Sequence, residues 1–195
     1  MSVRFRKNDE INRGIRDVAS KNQPLYAIKL NFLEATLDDE TVLHVFQNCS
    51  KLQWVEIMGC ASLSNNTLGT ITNGERSRVM KISKCRFVTP TCIGKALDRC
   101  SRLRALHVEG IGAIQHILDK HSCQLFDCLT TLSLAHCFNL SDECLGQIAK
   151  RCPFLRSINL TCCCRITNVG FIQLVNHCPS ISELSSKTVQ STRSV

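Results

Sequence analysis

A chain of 195 residues with a net charge of +8 is long enough for one domain of ordinary size. Aromatic residues make up only 5% of it and hydrophobic residues 44%, so aliphatic side chains must fill the core. No run of about 18 apolar residues occurs, and the first ten residues have no apolar centre. Both observations argue against a membrane partner and a secretory signal.

The chain begins with a basic, helix-like segment over residues 1–21. Ile15, Val18 and Ala19 have the spacing of the apolar face predicted for a later helix around residues 145–149. We therefore predict an N-terminal capping helix, or partial repeat, that covers the open end of the core.

A sequence repeat occupies residues 22–184 and is most regular in its last two copies. One copy begins Leu-Thr-Thr-Leu-Ser-Leu-Ala-His-Cys at residue 129, and its apolar and cysteine positions recur from residue 155 onward. A fixed period in the twenties is typical of solenoids. The third copy is weaker, because Ser77 stands at its first apolar position.

Each copy predicts a short strand, a tight turn and an amphipathic helix opened by Ser, Thr or Asp. We therefore expect an α/β fold, a right-handed β-α horseshoe segment of about six repeats, with parallel strands on the concave side. A seventh copy begins at Ile181 and Leu184, and the polar residues 185–195 are predicted to form a disordered tail.

The fourteen cysteines follow the repeat, which favours small buried side chains over disulfides. Since reduced thiols indicate an intracellular protein, we expect a cytoplasmic or nuclear location. The phased cysteines are Cys60, Cys85, Cys137 and Cys163; Cys49, Cys100, Cys152 and Cys178; and Cys92 and Cys144.

The segment Cys152–Asn168, Cys-Pro-x-Leu-x-x-Ile-x-Leu-x-x-Cys-x-x-Ile-Thr-Asn, resembles the cysteine-containing subclass of leucine-rich repeats. That subclass is typical of F-box/leucine-rich-repeat proteins, the substrate receptors of cullin-type ubiquitin ligases, and of the related antagonist of mitotic exit network family. The resemblance implies a protein client on the concave face and a role in proteasomal degradation. Nothing in residues 1–24 resembles an F-box, so an adaptor would have to bind through a module outside this chain.

Three functions follow as alternatives. The first is the substrate-recognition part of a ubiquitin ligase receptor, and the second is a free-standing scaffold or regulator without an F-box. A nucleic-acid binder comes third.

No catalytic motif of the serine hydrolase, zinc protease or phosphate-loop type occurs, so we expect neither enzymatic activity nor a cofactor. His121, Cys123, Cys128 and His136 crowd one region, but zinc ligands usually come as two close pairs. We therefore expect no metal site.

Basic residues cluster around the third and fourth repeats. A solvated face, a site for an acidic or phosphorylated partner segment, and nucleic acid are the three interpretations. Nucleic acid is disfavoured because Tyr26 and Trp54, which could stack on bases, lie elsewhere in the sequence. The basic residues are Arg76, Arg78, Lys81, Lys84, Arg86, Arg99, Arg102 and Arg104.

The concave face is the predicted partner-binding site, because strand residues between the apolar positions point to solvent. Trp54 beside Met58 is its most distinctive feature: either an exposed anchor for a partner or a cover for the weak repeat at Ser77. The predicted contact residues are Lys29, Asn31, Trp54, Glu56, Met58, Lys81, Ser83, His107, Glu109, Ser133 and Asn159.

Overall fold

The computed structural model describes residues 2–21, 24–31, 37–59, 64, 67, 76–85, 88–89, 93, 100–110 and 127–187, with the backbone alone for residues 2–8. The described helices are α1 (Ser2–Ser20), α2 (Asp39–Asn48), α3 (Asp142–Arg151) and α4 (Asn168–His177). The strands are β1 (Ala27–Asn31), β2 (Trp54–Met58), β3 (Val79–Ser83), β4 (Ala105–Glu109), β5 (Thr131–Ser133), β6 (Ser157–Asn159) and β7 (Glu183–Ser185). No helix in these ranges is both long and apolar enough to cross a membrane.

The seven strands of the described residues form one parallel sheet in sequence order, β1 to β7. Equivalent residues of successive repeats face each other: Lys29 pairs with Glu56, and Lys81 with His107. A sheet whose strand order equals chain order is the geometry of a solenoid, and it confirms the fold predicted from the sequence repeat.

The predicted apolar positions form a continuous core. Leu52, Leu103, Leu129 and Leu155, which share the first apolar position, are all fully buried. Burying one such side chain is worth about 1.5–3 kcal/mol, so the stacked coils stabilise each other although a single coil would not fold. Ser77 occupies the same position in its own coil and is equally buried.

The helices begin at the predicted kinds of capping residue. Asp38, Ser141 and Thr167 accept hydrogen bonds from backbone N–H groups in the first turns of α2, α3 and α4. Asp142, the first residue of α3, accepts hydrogen bonds from both the backbone N–H and the hydroxyl of Thr167 in the next coil. The cap of one helix is therefore fixed by the helix before it.

Helix α1 packs against α2, as a helix of a preceding repeat would. The Arg16 guanidinium lies 3.5 Å from the Asp38 carboxylate and donates a 2.7 Å hydrogen bond to the Thr41 hydroxyl. Ser20 and the ring of His44 are joined by a further hydrogen bond of 2.7 Å.

The phased cysteines are buried or half-buried where the structure describes them, and no described cysteine forms a disulfide. The Cys163 thiol donates to the carbonyl of Leu134 at 3.1 Å, and the Cys137 thiol to that of Val108 at 3.7 Å. Each of these bonds reaches back 29 residues, to the preceding coil. Cys60 and Cys92 lie outside the described residues.

The boundary of the predicted tail needs correction. Ser185 belongs to β7, where it pairs with Asn159, and its carbonyl accepts a hydrogen bond from the backbone of Leu160. Backbone pairing therefore extends the sheet beyond Leu184, the last apolar residue of the repeat pattern. Residues 188–195 lie outside the described part.

Candidate protein-binding site on the concave face

The residues between the apolar positions of the strands form rows that run across the sheet. Side chains on adjacent parallel strands are separated by about 4.8 Å, so each row is a nearly continuous line of side chains. The central row consists of Lys29, Glu56, Lys81, His107, Ser133, Asn159 and Ser185.

Trp54 is half-buried beneath two lysines of the central row. The Nζ atoms of Lys29 and Lys81 lie 5.2 and 5.1 Å from the centre of its ring system, which is cation–π distance. Its indole N–H donates to Glu56 at 3.3 Å, and that carboxylate lies 3.8 Å from the Lys29 ammonium. The Lys29–Trp54–Glu56–Lys81 cluster is thus held by its own contacts.

This geometry answers the question about Trp54 in part. The ring is not a fully exposed anchor, because two lysines approach it and Glu56 binds its edge. It orients the charged groups of the cluster across three neighbouring strands. Met58, on the same strand, is also half-buried.

His107 continues the central row next to Lys81. Burial lowers the pKa of His107 and the positive charge of Lys81 lowers it further, while Glu109 and Glu56 raise it by less. The ring is therefore neutral at pH 7, with one nitrogen donor and one acceptor. Glu109 itself accepts a 3.4 Å hydrogen bond from the Ser133 hydroxyl.

Two predicted contact residues are not accessible. Ser133 is buried, and its hydroxyl is turned to Glu109. Ser83 is buried as well, so the prediction that both are exposed to a partner is wrong. Alternation along a strand gives the direction of a side chain, but a short serine can be covered by longer neighbours on adjacent strands.

The remaining contact residues at the ends of the strands differ in exposure. Asn31 on β1 is exposed. Asn159 on β6 is half-buried, and its side-chain oxygen accepts a 3.0 Å hydrogen bond from the backbone of Thr161, which fixes the turn after that strand.

The basic cluster divides between two surfaces. We define the rim as the line of residues immediately before the strands, which successive backbone hydrogen bonds join. Arg104 donates from its backbone N–H to the carbonyl of Arg78 at 2.8 Å, so these two exposed arginines are direct neighbours on the rim. Arg76 and Arg102, also exposed, lie two residues earlier in the same coils.

The other members of the basic cluster lie apart from the rim. Lys81 lies on the concave face and Lys84 in the turn after β3, with a φ of 54°. Arg86 and Arg99 are outside the described residues.

One of the two aromatic residues, Trp54, contacts a member of the basic cluster, and the other, Tyr26, lies on the same rim. Tyr26 is exposed on the same rim, where its carbonyl accepts from the backbone of Gln53 in the coil before Arg78. Lys81 contacts the Trp54 ring. Both aromatic residues lie outside the basic segment of the sequence, and in the fold Tyr26 remains two strands away from Arg78. The position of Tyr26 within its repeat, equivalent to those of Gln53 and Arg78, is the signal that places it on the rim.

Within the described ranges, no group of three or more His, Cys, Asp or Glu side chains is arranged to hold a metal ion. Of the four residues considered for zinc, Cys128 and His136 are exposed, and His121 and Cys123 lie outside the described residues. The polar side chains of the concave face can form hydrogen bonds and ion pairs with another molecule.

No known family model matches the chain. Among solved structures, a chain of the Rad7–Elc1 complex in yeast is similar over 90% of this chain, with a TM-score of 0.75 and 19% sequence identity. The leucine-rich repeat-containing protein LegL7 from Legionella pneumophila is similar over 80%, with a TM-score of 0.50 and 12% identity. The fold is a leucine-rich-repeat solenoid.

The leucine-rich-repeat fold predicted from the sequence is thereby confirmed. The chain spans about half the length of these structural neighbours, 46% of the first and 57% of the second.

Proposed function

We propose that this leucine-rich-repeat solenoid is a protein-interaction module without catalytic activity, and that it binds a client protein on its concave face. The observation that carries the proposal is the Lys29–Trp54–Glu56–Lys81 cluster, whose members are fixed by mutual contacts before any partner arrives. A preformed surface loses little conformational entropy on binding, so more of the interaction energy is available as affinity.

We further propose that the client is presented to a cullin-type ubiquitin ligase for proteasomal degradation, and that the adaptor binds through a module outside these 195 residues. The cysteine-containing repeat and the similarity to a chain of the Rad7–Elc1 complex support this role. The burial of phased thiols that form no disulfide among the described residues supports a reducing compartment, the cytoplasm or nucleus.

A free-standing scaffold or regulator is the second candidate. It is favoured by the packing of α1, which contacts α2 through Arg16 and Ser20 as part of the solenoid. A helix used in this way is not available as a separate docking module for an adaptor.

Site-specific photo-crosslinking in cells tests the binding face. A crosslinking amino acid at Asn31, exposed on the concave side, should give covalent adducts with a client, and Trp54→Ala with Lys81→Glu should abolish them. The matched control carries the crosslinker at Glu143, exposed on α3. Adducts from position 143 but not from position 31 would show that partners bind the helical side instead.

Two further measurements separate the candidate roles. A ubiquitin ligase receptor should co-purify with a cullin adaptor when the native full-length protein is isolated, and its depletion should lengthen the half-life of the crosslinked client. A scaffold should give the same adducts with neither effect.

A further inference from the structure

The arginine pair Arg78 and Arg104 forms a concentrated positive charge at the rim. Their backbones are hydrogen-bonded neighbours, and Arg76 and Arg102 add two more exposed guanidinium groups in the same two coils. Among the described residues the ion pairs are Arg16–Asp38 and Lys29–Glu56, and neither includes an arginine of the rim. Like charges so close together repel one another, and an anionic ligand would reduce this repulsion.

The positive surface continues from the rim onto the concave face. Lys81 follows Arg78 by three residues along the same coil, and its ammonium is held over the Trp54 ring. His107 follows Arg104 in the same way, and as a neutral ring it can donate or accept one hydrogen bond. A ligand bound at the arginine pair can therefore reach two further polar side chains, Lys81 and His107, which lie toward the centre of the sheet.

The size of the charged area favours a single anionic group over a long polyanion. The immediate rim neighbours of the arginine pair are uncharged, Gln53 on one side and Thr130 on the other, and Thr130 separates the pair from the next rim arginine, Arg156. On the concave face, Glu56 and Glu109 would repel a continuous phosphate backbone. Two arginines whose backbones are joined by a hydrogen bond, at the general strand spacing of about 4.8 Å, can both reach one phosphate, whose oxygens accept several charge-assisted hydrogen bonds at once.

A protein segment fits these surroundings better than a nucleic acid. Bases need free aromatic surfaces on which to stack, and two lysines approach the ring of Trp54. Tyr26 is exposed but lies two strands from Arg78 on the rim. A peptide needs only one anchored charge, with flanking groups that contact Lys81 and His107.

We propose that the arginine pair binds a phosphorylated serine or threonine of a partner protein, with the flanking residues of that segment laid over Lys81 and His107. This inference rests on the proposed function and identifies the chemistry of the segment that the concave face accepts. Phosphorylation of the partner would then decide whether it binds.

The test uses the whole 195-residue chain and fluorescence polarisation with two degenerate peptide libraries, identical except for a central phosphoserine or serine. We expect at least tenfold tighter binding of the phosphorylated library. Arg78→Glu with Arg104→Glu should remove this preference, while Arg78→Lys with Arg104→Lys should keep part of it, since lysine retains the charge and loses the bidentate geometry.

The matched control is Arg13→Glu with Arg165→Glu, which makes the same change of net charge at two exposed positions away from the rim. It should leave the preference intact. Circular dichroism of each variant confirms folding, and Arg78→Gln with Arg104→Gln replaces the glutamate variant if that one does not fold.

Equal binding of the two libraries, or no binding of either, overturns the inference. The inference is also overturned if a poly-uridine RNA oligonucleotide binds more tightly than the phosphorylated library and the same arginine substitutions abolish that binding, because the rim would then bind nucleic acid. Crosslinking from Asn31 is independent of these results, so the inference can fail while the concave-face function stands.

Discussion

Replacing Ser77 by alanine should make the protein more stable. The side chain is buried at a position that five other coils fill with leucine, and its hydroxyl oxygen has no hydrogen-bond partner among the described residues. Burial raises the pKa of the nearby Cys100 thiol to about 12 and the Ser77 hydroxyl opposes that rise, so at neutral pH the hydroxyl faces a neutral sulfur. A neutral thiol is a weak partner.

An unsatisfied buried hydroxyl costs about 1–3 kcal/mol. Alanine removes the hydroxyl and leaves the rest of the side chain in place, so we expect the free energy of unfolding to rise by about 1–2 kcal/mol. For a chain of this length that corresponds to an increase in Tm of about 3–6 °C. Urea unfolding, followed by circular dichroism, measures the change directly.

The control is Ser133→Ala, which also removes a buried hydroxyl, but one that donates to Glu109. It should leave the stability unchanged or lower it by up to about 1 kcal/mol. If Ser77→Ala destabilises the protein as much as or more than Ser133→Ala, the Ser77 hydroxyl makes a favourable hydrogen bond and the reasoning is refuted.

Two further predictions concern packing and pH. Gly170→Ala should lower the free energy of unfolding by about 1–3 kcal/mol, because a Cβ there would overlap the Asp142 carboxylate. Gly146→Ala should be nearly neutral, since only the end of a flexible glutamine is in the way; equal losses in urea unfolding would contradict this contrast. Burial raises the pKa of the Cys100 thiol from its ordinary value of 9.0 to about 12 in the folded state. The contribution of this thiol to stability is therefore fully present below pH 9 and is lost as the pH rises from 9 through 12. Stability should fall by about 1.4 kcal/mol per pH unit above 9 on this account, and Cys100→Ala should reduce the difference between unfolding at pH 8 and pH 10; an unchanged difference would refute the assignment to Cys100.

The repeat pattern predicted the core because every coil uses the same backbone path. Leu52, Leu103 and Leu155 share one sequence position and one buried environment, so the period alone placed them correctly. The capping residues Ser141 and Thr167 were predictable for the same reason, since a hydroxyl before an apolar helix has one local role.

The site was less predictable, because its contacts join different coils. Trp54 is oriented by Lys29 in the coil before it and by Lys81 in the coil after it, and no local pattern reports such contacts. The burial of Ser133 likewise depends on Glu109, a residue of the coil before it. The side of the sheet to which a side chain points follows from the sequence, but whether neighbouring side chains bury it depends on the register between strands.

The bonds from the thiols of Cys137 and Cys163 have a consequence for how such a chain can change in length. Each of these two thiols donates to a carbonyl 29 residues earlier, so the arrangement is the same in two successive coils. Removing residues 131–156, one period, would bring the Cys163 thiol opposite the carbonyl of Val108, the acceptor that Cys137 now uses. The coils before Val79 differ slightly in length, since Ile28 pairs with Val55 and Val55 with Met80, so their connecting segments absorb a residue more or less. Gene duplication or deletion of whole coils therefore preserves both the strand register and these thiol bonds.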